Sequence, residues 1–226
     1  MSRRASPPAS PGTPVPDVAL TSGANSIPRV ERHDRASTSS DRAETQFNTA
    51  MSLLAQGRVA EAESVLGGLI ASNPGDERSR QALVALLLEQ RRLEEATLAL
   101  RQGLALNPAQ AQFGLVLARI LAERRDYGGA LEVLAQARPA AKSAEFSSLE
   151  GTVLQRLGRH REAAEAYRNA LDAAPGNAGA LMGLAISLES LQERSEALEA
   201  YRRALAGGAL SAELKAYAEQ KVKELR

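Results

Sequence analysis

The sequence has no cysteine and no tryptophan, and aromatics make up only 3% of its 226 residues. Without cysteine there is no disulfide framework, no thiolate nucleophile and no Cys-ligated metal. With so few aromatics, a β-sandwich core, which draws on Val, Ile, Tyr and Phe, is disfavoured. One-sided charge is missing too: 28 Lys and Arg stand against 27 Asp and Glu, a formal net charge of +1. That balance leaves no electrostatic footprint for nucleic acid or an anionic membrane. The longest apolar run, Ala82 to Leu88, falls well short of the roughly 18 residues a membrane span needs. No apolar segment follows Arg3 and Arg4, so no signal peptide is visible. Histidine is limited to His33 and His160, too far apart in sequence to indicate a metal pair. No P-loop, nucleophile elbow or zinc signature occurs. The expectation is a chain with no catalytic residue, no cofactor and no metal.

What is present is Ala and Leu, within a hydrophobic fraction of 44%, a composition that favours closely packed helices. The first 42 residues stand apart, holding six of the ten prolines and eight serines but only five Val, Ile or Leu. Such a segment buries too little apolar surface to offset chain entropy, so residues 1–42 are expected to form a disordered tail or linker. Pro8 and Pro11 match a P-x-x-P ligand pattern, but spacer sequences of this composition match it easily.

The remainder repeats. Ala62, Ala96, Ala130, Ala163 and Ala197 recur at intervals of 34, 34, 33 and 34. Leu53, Leu87, Leu121, Leu154 and Leu188 keep the same spacing, as do the small residues Ala50, Val84, Ala118, Gly151 and Ala185. Pro74, Pro108 and Pro175 mark the ends of units. Each unit reads as a helix, a turn and a second helix with apolar residues at i, i+4 and i+7, as in Val59, Ala62, Val65, Leu66 and Leu69. The Gly pairs 67–68, 128–129 and 207–208 are expected to permit close packing or bends. A unit of this kind cannot bury its apolar face alone, so stability comes from stacking. The glycine-rich "APGNAGALMGLAISLE" (174–189) could open a phosphate-binding helix. The junctions at Pro74 and Pro108 lack its glycines, which makes it a joint between units.

A helix-turn-helix array of this period resembles the tetratricopeptide repeat (TPR), whose small-small-aromatic-Pro scheme is clearest in Gly151, Ala163, Tyr167, Ala170 and Pro175. The resemblance implies an all-α solenoid of about five repeats, at 43–76, 77–110, 111–143, 144–177 and 178–211, closed by a capping helix at 212–226. The third unit is one residue short and carries Pro139 near its end, where a distorted junction is expected. The last two repeats are similar to the C-terminal part of MshN-type proteins of mannose-sensitive haemagglutinin (MSHA) pilus biogenesis. Members of that family carry an inner-membrane anchor, a Pro/Ala-rich periplasmic linker and then repeats. This chain departs from them in having no anchor and in placing Ala180 and Leu181 where the family often has aromatics.

The resemblance further implies that first helices line a concave groove that receives a protein segment. Its positions map onto Arg78, Gln81 and Ala85, then Leu115 and Arg119, then Ser148, Thr152, Gln155 and Arg156, then Met182, Ile186 and Glu189. The set lacks the dense Lys/Arg/Asn clamp of chaperone-binding relatives. The reading is a non-enzymatic interaction scaffold with a protein or peptide partner and no nucleic acid, of undetermined oligomeric state. The pilus resemblance implies a type IV pilus or secretion assembly, with the chain in the periplasm, tethered to the inner membrane by an anchor upstream. The alternatives are a cytoplasmic chain, since no signal peptide is visible, and the regulatory portion of an enzyme whose catalytic part lies on another chain or upstream.

Overall fold

In the computed structural model the backbone is described for residues 30–138 and 143–226, and side chains from residue 40. The chain divides into two compact units, residues 1–41 and 42–226. Eleven α-helices and no strand occur among the described residues. They are α1 (Val30–Ala55), α2 (Val59–Ser72), α3 (Glu77–Glu89), α4 (Leu93–Leu106), α5 (Ala111–Glu123) and α6 (Tyr127–Gln136). There follow α7 (Ala144–Arg156), α8 (His160–Ala173), α9 (Ala178–Ser190), α10 (Arg194–Ala206) and α11 (Ala212–Glu224). The fold is all-α and solenoidal, built of helix pairs with α11 as the closing helix. The expected disorder of residues 1–29 lies outside the described residues. From Val30 onward the backbone is helical where a tail was expected, because no proline or glycine occurs between Pro28 and Gly57 to stop a helix.

The repeat columns have distinct structural jobs. The five column alanines, from Ala62 to Ala197, are all fully buried, which lets the two helices of a pair approach closely. The five column leucines are buried as well, but their carbonyls matter as much as their side chains. Leu53, Leu87, Leu121, Leu154 and Leu188 each accept a backbone hydrogen bond from the N–H five residues on, at 2.8–2.9 Å. That bond closes a Schellman turn, in which one residue adopts the left-handed conformation. Gly57 and Gly158 take that position with φ of 74°, and Arg91, Arg125 and Gln192 take it with φ of 59°, 63° and 64°.

Starts are set differently for the two helices of a pair, except in the third, where Asp126 caps α6 with its side chain as a first helix is capped. Asp76, Gln110, Ser143 and Asn177 cap α3, α5, α7 and α9 by accepting a backbone N–H with the side chain. At α2, α4 and α8 the capping residue is Arg58, Arg92 or Arg159, with no side-chain cap bond. Each of these arginines instead forks onto a glutamate three residues on: Glu61, Glu95 or Glu162. The glutamates also lie in the first turn, where the helix dipole favours negative charge. At the third pair α6 spans only 10 residues and ends at Gln136. Pro139 disfavours helical backbone in the residue before it, which accounts for the early stop.

The expected glycine pairs divide. A Cβ at Gly67, Gly68 or Gly128 would meet nothing within 4 Å, whereas at Gly129 it would lie 2.5 Å from the Asp126 Oδ2, and Gly208 takes φ of 68° after α10. Further close contacts are at Gly103 against Phe113 and Arg80, Gly114 against Ala137, and Gly151 and Gly183 against Tyr167. Tyr167 of α8 thus inserts its ring between glycines on α7 and α9.

Candidate partner groove

First helices of neighbouring pairs touch directly, α5 against α7 and α7 against α9. Each also packs on its own second helix and on the preceding one, as α9 does on α10 and α8. This places α5, α7 and α9 side by side on one face of the array. Two clefts of similar size lie in its C-terminal half. One, of about 530 Å³, sits between α8 and α10 with Leu184 and Leu188 of α9 on its floor, and the Arg168–Glu196 ion pair joins its two walls. The other, of about 520 Å³, lies on the first-helix face and is lined by residues of α5, α7, α8 and α9. Only the second collects residues expected to meet a partner, so it is the candidate site.

Its walls are Arg119 of α5; Ala144, Glu145, Ser148, Leu149 and Thr152 of α7; and Asn177, Gly179 and Ala180 at the start of α9. Tyr167 reaches the cleft from the second layer. Its hydroxyl lies 3.2 Å from the Thr152 Oγ1 and donates to the Gln155 Oε1 at 3.3 Å. Burial pushes the Tyr167 phenol above its ordinary value, while the Thr152 hydrogen bond and the nearby Arg156 charge pull the other way. Thr152 Oγ1 also donates to the Ser148 carbonyl at 2.9 Å. The Ser148 hydroxyl itself is buried and has no hydrogen-bond partner. Gly179 leaves the α9 wall bare, since a Cβ there would meet only the Asn177 Oδ1 at 3.4 Å.

The expected groove residues divide into three groups. Leu115 and Met182 are 5% and 4% exposed and belong to the core. Their apolar side chains turn into the seams between packed helices and leave the groove face, which corrects the expectation for both. Ile186 is half-buried against the same core. A second group is engaged inside the array. Gln155 donates to the Gly183 carbonyl at 3.2 Å and the Ser187 Oγ at 3.0 Å. Glu189 accepts from Tyr201 at 2.9 Å and pairs with Lys221 of α11 at 2.6 Å. Arg78 pairs with Glu44 at 2.7 Å and lies 3.9 Å over the Phe47 ring, and Arg119 pairs with Glu145 at 2.6 Å. The third group, Gln81, Ala85 and Arg156, is exposed. The sequence reading missed Glu145, Gly179 and the groove-facing hydroxyl of Tyr167. Gly179 and Glu145 stand in register with Arg78 and Gln112, at intervals of 34, 33 and 34, and that register was the available signal for both.

No group of three or more His, Asp or Glu able to hold a metal occurs among the described residues, and no described helix is long and apolar enough to cross a membrane.

A family model, the tetratricopeptide repeat-like domain, matches residues 33–193. The chain belongs to this tetratricopeptide repeat family. Solved TPR structures share its fold. MamA from Desulfovibrio magneticus RS-1 superposes with a TM-score of 0.63 at 20% identity, covering 74% of this chain and 96% of that one. YrrB, described as a TPR protein with an unusual peptide-binding site, gives 0.66 at 17% identity over 77% of this chain and 90% of that one. PilW, described as a widely conserved type IV pilus biogenesis factor, gives 0.60 at 16% identity over 81% of this chain and 90% of that one. No curated protein matches the sequence significantly. In this TPR array, then, the cleft on the first-helix face presents the Thr152 side chain and a bare glycine wall.

Proposed function

We propose that the protein is a non-enzymatic scaffold that holds a segment of another protein in the cleft between α5, α7 and α9. The observation that carries this reading is a cleft of about 520 Å³ on the first-helix face, where the Thr152 side chain is exposed and Gly179 leaves the α9 wall bare. An extended segment can lie against such a wall and offer its backbone groups to the hydroxyl. A type IV pilus or secretion assembly, in the periplasm, is the proposed setting. It is supported by the MshN-like C-terminal repeats and by the pilus role in PilW's description. Gly179→Arg places a long side chain across the cleft at an exposed position, and Leu98→Glu alters an exposed residue of α4 as a control. Affinity capture from a membrane extract is expected to lose its partner with Gly179→Arg and keep it with Leu98→Glu. Identification of a pilus or secretion component among the lost proteins supports the setting. Equal recovery by both variants overturns the cleft as the binding site.

A further inference from the structure

The charges around the cleft are already used. The two charged residues that line it, Arg119 and Glu145, neutralise each other at 2.6 Å. A strongly charged ligand entering here meets an exposed pair with no net charge to attract it, and gains little by displacing either member. Within the cleft the groups on offer are the Thr152 hydroxyl and the open side of Gly179, both small and uncharged. Arg156 is the exception. It is exposed, it forms no ion pair among the described residues, and its charge is felt at the Tyr167 phenol, which lines the same cleft. Arg156 lies four residues, one helical turn, beyond Thr152 on α7, so it stands on the same face of that helix.

Resting on the cleft as the binding site, we infer that the partner segment is extended and made of small uncharged residues, with a single carboxylate placed to reach Arg156. The small residues fit against Gly179 and Ala180, and their backbone groups meet Thr152. The carboxylate forms a charge-assisted bond to the guanidinium that the array itself leaves unpaired.

Fluorescence anisotropy with four labelled twelve-residue peptides tests this: Gly/Ser/Ala-only, the same with one central Asp, Glu-rich, and Lys/Arg-rich. The one-Asp peptide should bind best, about tenfold tighter than the Gly/Ser/Ala-only peptide, as a charge-assisted hydrogen bond implies. Arg156→Gln should reduce the two to equal affinity, and Gly179→Arg should abolish binding of both. Stronger binding of either highly charged peptide overturns the inference, as does equal binding of the first two peptides by the unaltered protein. If none of the four binds while affinity capture still distinguishes Gly179→Arg from Leu98→Glu, this inference fails and the cleft stands. If neither assay responds to Gly179→Arg, both fail.

Discussion

At Gly183 an added Cβ would lie 2.2 Å from Cζ of Tyr167, and at Gly151 it would lie 2.9 Å from the same ring. The ring is held between the two, so it has no direction in which to give. Gly183→Ala is therefore expected to destabilise the array by about 1–3 kcal/mol, the range for overpacking, measured as a lowered urea midpoint. Gly179→Ala, where the nearest atom is 3.4 Å away, should be close to neutral. Similar midpoints for the two variants would refute the wedge. A second residue-scale test uses the left-handed turn positions. Gln192 holds φ of 64° without being glycine, so Gln192→Gly should stabilise by up to about 1 kcal/mol, while Gly158→Ala should destabilise by a similar amount. The same scale shows where sequence reading stops. The column residues were legible because each repeats with the period. Leu115 and Met182 were assigned to the groove by register alone, yet register does not say whether an apolar side chain will turn toward a neighbouring helix. Tyr167 was legible as a packing aromatic, but its hydroxyl's emergence beside Thr152 depends on the two glycines that let the ring through.

Among the elements, helix starts separate the two helices of a repeat. Asn177 accepts from the Ala180 N–H at 3.0 Å, so Asn177→Ala should remove about 1 kcal/mol and loosen the α9 end that walls the cleft. The second helices α2, α4 and α8 start on the Arg–Glu fork, and this gives them a pH dependence. Hydrogen bonds from Arg58, Arg92 and Arg159 hold Glu61, Glu95 and Glu162 below the ordinary carboxylate value of 4.5. A depressed folded value contributes stability that is present above the unfolded value and is lost as pH falls through the folded one. Below about pH 4.5 the forks should weaken, and Glu61→Gln, Glu95→Gln and Glu162→Gln together should flatten the acid limb of the stability profile. All three pairs are solvent-exposed, so the effect is small; an unchanged acid limb in the triple variant would dismiss it. The helix pairs and their turns were legible in the sequence because proline and the periodic alanine columns mark them. The Arg–Glu forks were not read, since their acids could be assigned to the helix dipole without a partner. The early stop of α6 was only partly legible: Pro139 marked the place, but not the length of helix lost.

Stability of the whole array is a sum over stacked neighbours, so its open end is where it begins to unravel. α11 covers that end with Ala218 and Val222, and Tyr217 meets Tyr201 edge-on at 6.2 Å. Lys221 completes the closure by pairing with Glu189, the residue that also accepts from Tyr201. One network therefore ties α9, α10 and α11. Its titration gives it a direction. Burial pushes the Tyr201 phenol well above its ordinary 10, and the Glu189 hydrogen bond pushes the Lys221 ammonium above its ordinary 10.5. Both folded values are raised, so both groups contribute stability that is fully present below the unfolded values and is lost as pH rises past them. Tyr201 and Lys221 act in the same sense, and the C-terminal repeats should open first in alkali. Hydrogen exchange near pH 10 and above should show α9–α11 losing protection before α3–α5. Lys221→Gln should move that loss of protection to lower pH by removing one partner and leaving Glu189 with only Tyr201. Removal of residues 212–226 should go further, exposing Tyr201 and Ala204 of α10 and melting α9 and α10 at neutral pH. Since Gly179 belongs to α9 and Asn177 caps it, such a truncation would dissolve one wall of the cleft and lose partner capture without touching a groove residue. Intact capture by the truncated chain would show that α9 stands on the α7–α8 pair alone.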